Sequence, residues 1–325
     1  MDVRQGIAKN RFIIVGRVGM DLFPAPGEAV ETADQFTADM GGSSANIAAG
    51  IVKLGGQAAL VTRVSDDAVG RFCVNKLHHY GVDTTHVKPI GGEARNSLAL
   101  YESRVQGHQS VIYRNGAADF QMTIEDVEAI DYTAYGALVT AGTVFAAEPS
   151  RTAAFRAFEL ARAAGLPIIF DVDYRPYSWP SPQVAADVLS RAGAMSDVIV
   201  GNDDEFGFMA GGKDRGLAKA RDLAKTAAIV VYKMGEFGAI TFAENAEIKT
   251  GIYPVSALKP TGAGDSFMAG LLSGIAAGQD IHTAVLRGSA CAAIVVAKPG
   301  CAPAMPYPAD LTKFFAAHPG PTQPK

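Results

Sequence analysis

The stretch KPTGAGDSFMAGLLSGIAAG, residues 259–278, gathers the most chemically loaded residues of the chain. Pro260 and the Gly262-Ala263-Gly264 turn precede Phe267, Leu271, Leu272 and Ile275, which recur at helical spacing, so the glycines fall at a helix N-terminus. There, unpaired backbone N–H groups and the positive end of the helix dipole form an anion site, and glycine lets a phosphate approach the backbone closely. Asp265 stands inside that site. A carboxylate in this position either caps the helix, the common role of Asp near a helix start, or works as a base beside a bound anion. A second glycine pair, Gly41-Gly42 in MGGSSANIAAG (residues 40–50), precedes another helical pattern with Asn46 early on it. Taken alone it reads as a tight loop and cap.

The elements that must position these residues alternate. Short β-rich apolar runs recur at residues 12–15, 58–64, 137–140, 168–172, 198–200 and 229–232, separated by helical patterns. This predicts an α/β chain with a mainly parallel sheet and helices on both faces. Ser43 or Ser44 can cap a helix with Ile47, Ala48, Ile51 and Leu54 on its apolar face and Gly55-Gly56 as its stop. Asp66 or Asp67 can open a second that ends at Gly81, and residues 150–164 form a third closed by Gly165. Residues 17–40 and 94–115 break the rhythm with polar-apolar alternation, as in SLALYESR and SVIYR, and read as one small β lid with Arg104 to Ser110 as its hairpin turn. The rest of residues 1–325 reads as a single domain.

Bulk properties exclude other classes. A composition of 48% apolar and 19% charged residues is globular, and a net charge of −4 leaves no positive excess to track nucleic acid or an anionic membrane. No run reaches about 18 apolar residues, which disfavours a membrane span. The three cysteines, Cys73, Cys291 and Cys301, form no CxxC pair, which fits a reducing cytoplasm without a disulfide framework or zinc site. The terminal HPGPTQPK reads as a frayed tail.

Gly41-Gly42 with Asn46, followed far downstream by Thr261-Gly262-Ala263-Gly264-Asp265, resembles the paired signatures of the ribokinase-like (PfkB) sugar kinases. The resemblance runs from about Phe12 to Pro306, and no Walker or protein-kinase motif competes with it. It implies a ribokinase-like fold and an ATP- and magnesium-dependent transfer. The residue matching Asp265 would deprotonate the acceptor hydroxyl while amides of Gly262, Ala263 and Gly264 neutralise charge on the phosphoryl group. That division suits phosphoryl transfer, which needs positioning and electrostatics more than covalent chemistry. The resemblance further implies that Asp21, Gly42 and Asn46 bind sugar hydroxyls. Lys233, Gly235 and Gly238 of KMGEFG, with Thr261, would lie near ATP, and Asn202 and Glu205 of GNDDEF would hold magnesium through water. As isolated patterns, KMGEFG is a hairpin turn and the DDE run is good helix capping.

FDVDYRPYSW, residues 170–179, lies at the carboxyl end of an expected strand, where open α/β sheets bind ligands. It resembles an element of the kinases for 2-keto-3-deoxygluconate and fructose, with Asp173 in place of their Asn. The form DYRPYSW, with GRVGMDL, YRNGAADF and LKPTGAGD, is similar to the subfamily acting on 5-dehydro-2-deoxygluconate in inositol breakdown. A sugar acid carries a carboxylate, which favours the planar arginine fork. Arg17, Arg95, Arg114 and Arg175 are the candidates, Arg175 first, although each also suits a surface ion pair. Many relatives carry Asp at the position of Lys259, where it helps bind an activating monovalent cation; an ammonium there would repel potassium, so no such cation is expected. An exposed lid sheet also offers a contact for a homodimer. The competing readings are a 2-keto-3-deoxygluconate or other ketose kinase, and a non-catalytic sugar-binding regulator on the same fold.

Overall fold

A computed structural model describes residues 2–104 and 107–323. In chain order its strands are β1 (Arg11–Val15), β2 (Gly19–Phe23), β3 (Thr37–Gly41), β4 (Gln57–Ser65), β5 (Val87–Ile90), β6 (Leu98–Tyr101) and β7 (Ser110–Tyr113). They continue as β8 (Ala137–Ala141), β9 (Ile168–Asp171), β10 (Val198–Asn202), β11 (Ile229–Lys233), β12 (Ala239–Ala243) and β13 (Ala246–Thr250). The larger sheet runs β13-β12-β11-β10-β9-β8-β1-β4-β5. It is parallel from β11 to β5 and ends in an antiparallel β11-β12-β13 meander. All six β-rich runs are strands of this sheet.

Helices bury both of its faces, which is why runs such as FIIV and ALVTA are buried throughout. The two-residue period of β1 sends Phe12 and Ile14 into one core and Ile13 and Val15 into the other. The helices Ser43–Lys53, Ala263–Ala276 and Ile281–Val296 cover the first face, and Ser150–Ala163 and Pro182–Ala194 the second. Asp67 caps the Ala68–His79 helix by accepting from the N–H groups of Val69 and Gly70, as the sequence suggested. Neither Ser43 nor Ser44 is a cap: Gly42 holds that position at φ +96° and both serines are helical. The tail is also held further than expected, since Thr322 donates its N–H to Ile252 O at 2.7 Å.

The smaller sheet, β3-β2-β6-β7, draws its strands from the two segments that break the α/β rhythm. In its expected hairpin turn, Val105 and Gln106 lie outside the described residues. Alternation gives this sheet two distinct faces. Asp21, Tyr101, Ser110 and Ile112 face a large cavity, while Leu22, Leu100 and Val111 form a cross-strand apolar row on the other side.

Candidate active site

The cavity, about 1030 Å³, lies between the small sheet and the carboxyl ends of the parallel strands. Each strand delivers chemistry where its hydrogen bonding ends: Arg17 after β1, Asp171 and Asp173 at β9, Asn202 on β10 and Lys233 on β11. Asp265 and the Thr261-Gly264 turn reach the same cavity from the start of the Ala263–Ala276 helix.

The local geometry removes the capping reading of Asp265. The cap of its helix is Gly262, at φ +84°, and Asp265 is three residues beyond it, so the carboxylate is not the cap. The left-handed turn also requires a glycine on packing grounds, since a Cβ at residue 262 would sit 3.0 Å from Cys301 Sγ. Ala263 N–H turns back toward Pro260 O at 3.4 Å. Asp265 Oδ2 accepts from Asn46 Nδ2 at 2.8 Å, joining the two glycine-led helices through their signature residues. Burial, with the negative charge of Asp173, raises the Asp265 carboxyl to about 6 against the pull of Asn46, Arg175 and Lys233. Asp21 is raised to about 7, chiefly by burial, with Arg17 opposing and Asp265 and Asp39 adding to the rise. Its carboxylate fits only because residue 41 is glycine: a Cβ there would lie 1.9 Å from Asp21 Oδ1.

Asp173 has φ +35°, a conformation a non-glycine residue adopts at some cost. It is held there by Arg175, whose Nη2 is 2.8 Å from Oδ1, and by the Thr143 hydroxyl, which donates to Oδ2 at 3.3 Å. Burial works to raise its pKa, but Arg175, Ser43, Arg17 and Arg114 outweigh burial and hold it low. Asp171 goes the other way. Burial drives it well above the carboxylate range, and Glu205, Asp173 and Asp265 add to the rise while Lys233 opposes it.

Asn202 and Glu205 realise the capping reading in full. Asn202 Oδ1 accepts from Glu205 N–H and Glu205 Oε2 from Asn202 N–H, both at 2.8 Å. The pair nevertheless lines the cavity, so capping orients it rather than removing it from the site. KMGEFG is likewise both a hairpin turn between β11 and β12 and part of the wall, through Lys233, Gly235 and Gly238. Lys233 Nζ stands above the Phe267 ring at 5.5 Å.

Lys259 points inward. It is fully buried, and its ammonium donates to Thr261 O at 2.6 Å, at the start of the glycine turn, and to Val295 O at 3.3 Å. Burial lowers its pKa against the opposing influence of Cys301, Asp265 and Asp21.

Of the sequence-predicted residues, Asp21, Gly42, Asn46, Arg17 and Arg175 line the cavity, but Arg95 and Arg114 do not. Arg95 is an exposed residue whose guanidinium bonds Gly92 O and Ala94 O beside Asp67. Arg114 is buried behind the wall, bonded to Asp119 and Thr143 O with Phe120 beneath it at 4.1 Å. Sequence reasoning missed Asp171, although it ends the flagged strand, and also Tyr101 and His108 of the small sheet and Cys301 under the anion turn. None of the last three belongs to a motif with its own chemical signal.

Comparison with known proteins agrees with this geometry. The pattern of the pfkB family carbohydrate kinases matches residues 9–308. The chain belongs to the pfkB family of carbohydrate kinases. Within it, a 5-dehydro-2-deoxygluconokinase of Geobacillus kaustophilus is 36% identical over 321 residues, covering 94% of each chain. A 5-dehydro-2-deoxygluconokinase of Photobacterium profundum is 34% identical over 311 residues, covering 93% of this chain and 94% of that one. Among solved structures, a fructokinase from Vibrio cholerae bound to fructose, ADP and calcium superposes with a TM-score of 0.82 at 25% identity, over 94% of this chain and 99% of that one. The ribokinase-like fold expected from the motifs is therefore the fold of this pfkB kinase.

Proposed function

We propose that this carbohydrate kinase transfers the γ-phosphoryl group of ATP to a hydroxyl of 5-dehydro-2-deoxygluconate, with Asp265 as the general base. The observation that carries the reading is Asp265 itself: a cavity carboxylate at the N-terminus of a glycine-led helix, raised to about 6 by burial and joined to Asn46. Such a group is ionised at neutral pH yet basic enough to accept a proton as the hydroxyl oxygen attacks phosphorus. The O–H bond breaks to Asp265, a new O–P bond forms, and the β–γ bridging P–O bond breaks to release ADP. Helix N-terminal amides from Gly262 to Gly264 would meet the negative charge on the phosphoryl oxygens, with Lys233 on the nucleotide side. Asp21 and Asn46 are suited to sugar hydroxyls, as an acceptor and an amide.

Magnesium would supply charge neutralisation on the ATP phosphates. Asn202 and Glu205 fit it as oxygen donors on the cavity wall, reached through water, and no group of three or more acidic, His or Cys side chains among the described residues would cage an ion unaided. Lys259 fits the role of a built-in cation, its ammonium serving two carbonyls beside the anion turn in place of potassium. The small sheet would act as a lid that excludes water from the γ-phosphate. Its apolar outer row, with Val111 41% exposed, suits pairing with a second copy of the chain. No described helix is long and apolar enough to cross a membrane, and the three cysteines are free and buried, which fits the cytoplasm.

The substrate is supported by the names of the relatives and by DYRPYSW. It is tested by a coupled assay of ADP release with 5-dehydro-2-deoxygluconate, 2-keto-3-deoxygluconate and fructose. The expected order places the first at least tenfold ahead in kcat/KM, and a preference for either of the others would replace this substrate assignment.

A further inference from the structure

Four arginines were candidates for an anionic substrate, and three are already matched. Arg95 stands beside Asp67 at the surface, Arg114 is bonded to Asp119, and Arg175 is paired with Asp173. Arg17 differs from all of them. It is 7% exposed, it lines the cavity, and it makes no ion pair with a described residue. Nη1 donates to Ser97 Oγ at 2.9 Å, while Nε is buried without a hydrogen-bond partner.

A guanidinium keeps its proton at any accessible pH, so it cannot escape burial by becoming neutral. An unmade donor bond on such a group costs free energy until an acceptor arrives, and a planar fork is met best by a carboxylate or a phosphate. Position separates the two anions. The Gly262–Gly264 turn opens the helix that carries Asp265, which marks the phosphoryl side. Arg17 is bonded through Nη1 to Ser97, the residue just before β6, which sets it against the small sheet that carries Asp21. Arg17 is thus anchored on the small-sheet side of the cavity rather than at the glycine turn.

We propose that Arg17 is the specificity-determining residue that reads the carboxylate of a sugar-acid substrate. The inference rests on the sugar-acid reading above and goes further by giving the acid end a single residue. Arg175 is left to hold Asp173 in its left-handed conformation. Acid selectivity then comes from a fixed buried charge that a neutral ketose leaves unmatched, which penalises neutral sugars as well as rewarding acids.

The test compares 5-dehydro-2-deoxygluconate with its neutral carboxamide in wild type, Arg17→Gln and Arg17→Lys. Charge-assisted hydrogen bonds of this kind set the expected size: wild type prefers the acid by about 10- to 100-fold in kcat/KM, mainly through KM. Arg17→Gln loses that preference, and Arg17→Lys, which keeps charge without the fork, retains part of it. Stabilisation of each variant by ATP in a thermal melt verifies that the nucleotide half is folded, and Arg17→Lys carries the comparison should the Gln variant fail to fold. A wild type indifferent to the carboxamide would overturn the sugar-acid reading itself. A wild type that prefers the acid, with both variants keeping the full preference, would overturn the assignment to Arg17 alone.

Discussion

If Lys259 serves as the built-in cation proposed above, replacing it by Asp should make the kinase potassium-dependent. The ammonium is fully buried and donates to two carbonyl oxygens, Thr261 O at 2.6 Å and Val295 O at 3.3 Å, the first belonging to the turn that forms the anion site. A fixed positive charge about 4 Å from a would-be potassium ion costs on the order of 4 kcal/mol at an effective dielectric of 20, enough to abolish specific binding. Its inward orientation is what gives that figure force, since a lysine snorkelling to solvent would be screened. Lys259→Met keeps the volume but leaves both carbonyls without their donor, at about 1–3 kcal/mol each. Part of this loss is offset by no longer burying a charge. Turnover is to be compared in sodium, potassium and tetramethylammonium salts at matched ionic strength. Wild type should vary by less than about twofold, Lys259→Met should fall about tenfold or more in every salt, and Lys259→Asp should be inactive except in potassium. Strong potassium stimulation of wild type, or a Met variant as active as wild type, would refute the account.

Three further outcomes follow from the cavity carboxylates and the small sheet. Asp265 and Asp21 are raised to about 6 and about 7, so kcat/KM should fall as pH drops through that window and these carboxylates take up protons. The stability effect has the opposite sense: a raised carboxyl favours the folded state most below its unfolded value of 3.8 and loses that contribution as pH rises through about 6. Asp265→Asn should therefore melt higher than wild type at pH 8, by up to about 3 kcal/mol of stability, with the gap closing toward pH 4. Equal melting differences at both pH values would contradict a carboxyl raised by burial at Asp265. At the outer face of the small sheet, Val111→Lys should shift the protein from dimer to monomer in light scattering, and a wild type that is already monomeric would dismiss the paired-sheet proposal.

The parallel sheet was legible because its strands are buried on both faces and so read as continuous apolar runs, as in residues 168–170. The second sheet was legible for the opposite reason, the alternation of SLALY and SVIY, one face set to the cavity and one to solvent. Sequence-distant residues that share a cavity wall are harder to read. Arg95 and Arg114 flank the same segment in sequence, yet one points to solvent and the other lies behind the wall bonded to Asp119, and residue type alone does not distinguish them. The direction of Lys259 was also open in sequence, because a long flexible side chain reaches carbonyls or water equally well until packing decides. Motifs with backbone requirements fared best. Gly262 and Gly42 are needed at positive φ, and that constraint is local enough to be written in a few adjacent residues.

The central claim, that Asp265 takes the proton from the acceptor hydroxyl, is tested most directly by measuring turnover and ATP affinity together in Asp265→Asn. Asn preserves the side-chain shape and can keep a contact with Asn46, so the nucleotide site should stay intact. The account predicts ATP affinity within a few-fold of wild type and kcat lower by about 10² or more, the scale of a lost general base. Turnover within a few-fold of wild type, at unchanged ATP affinity, would contradict it.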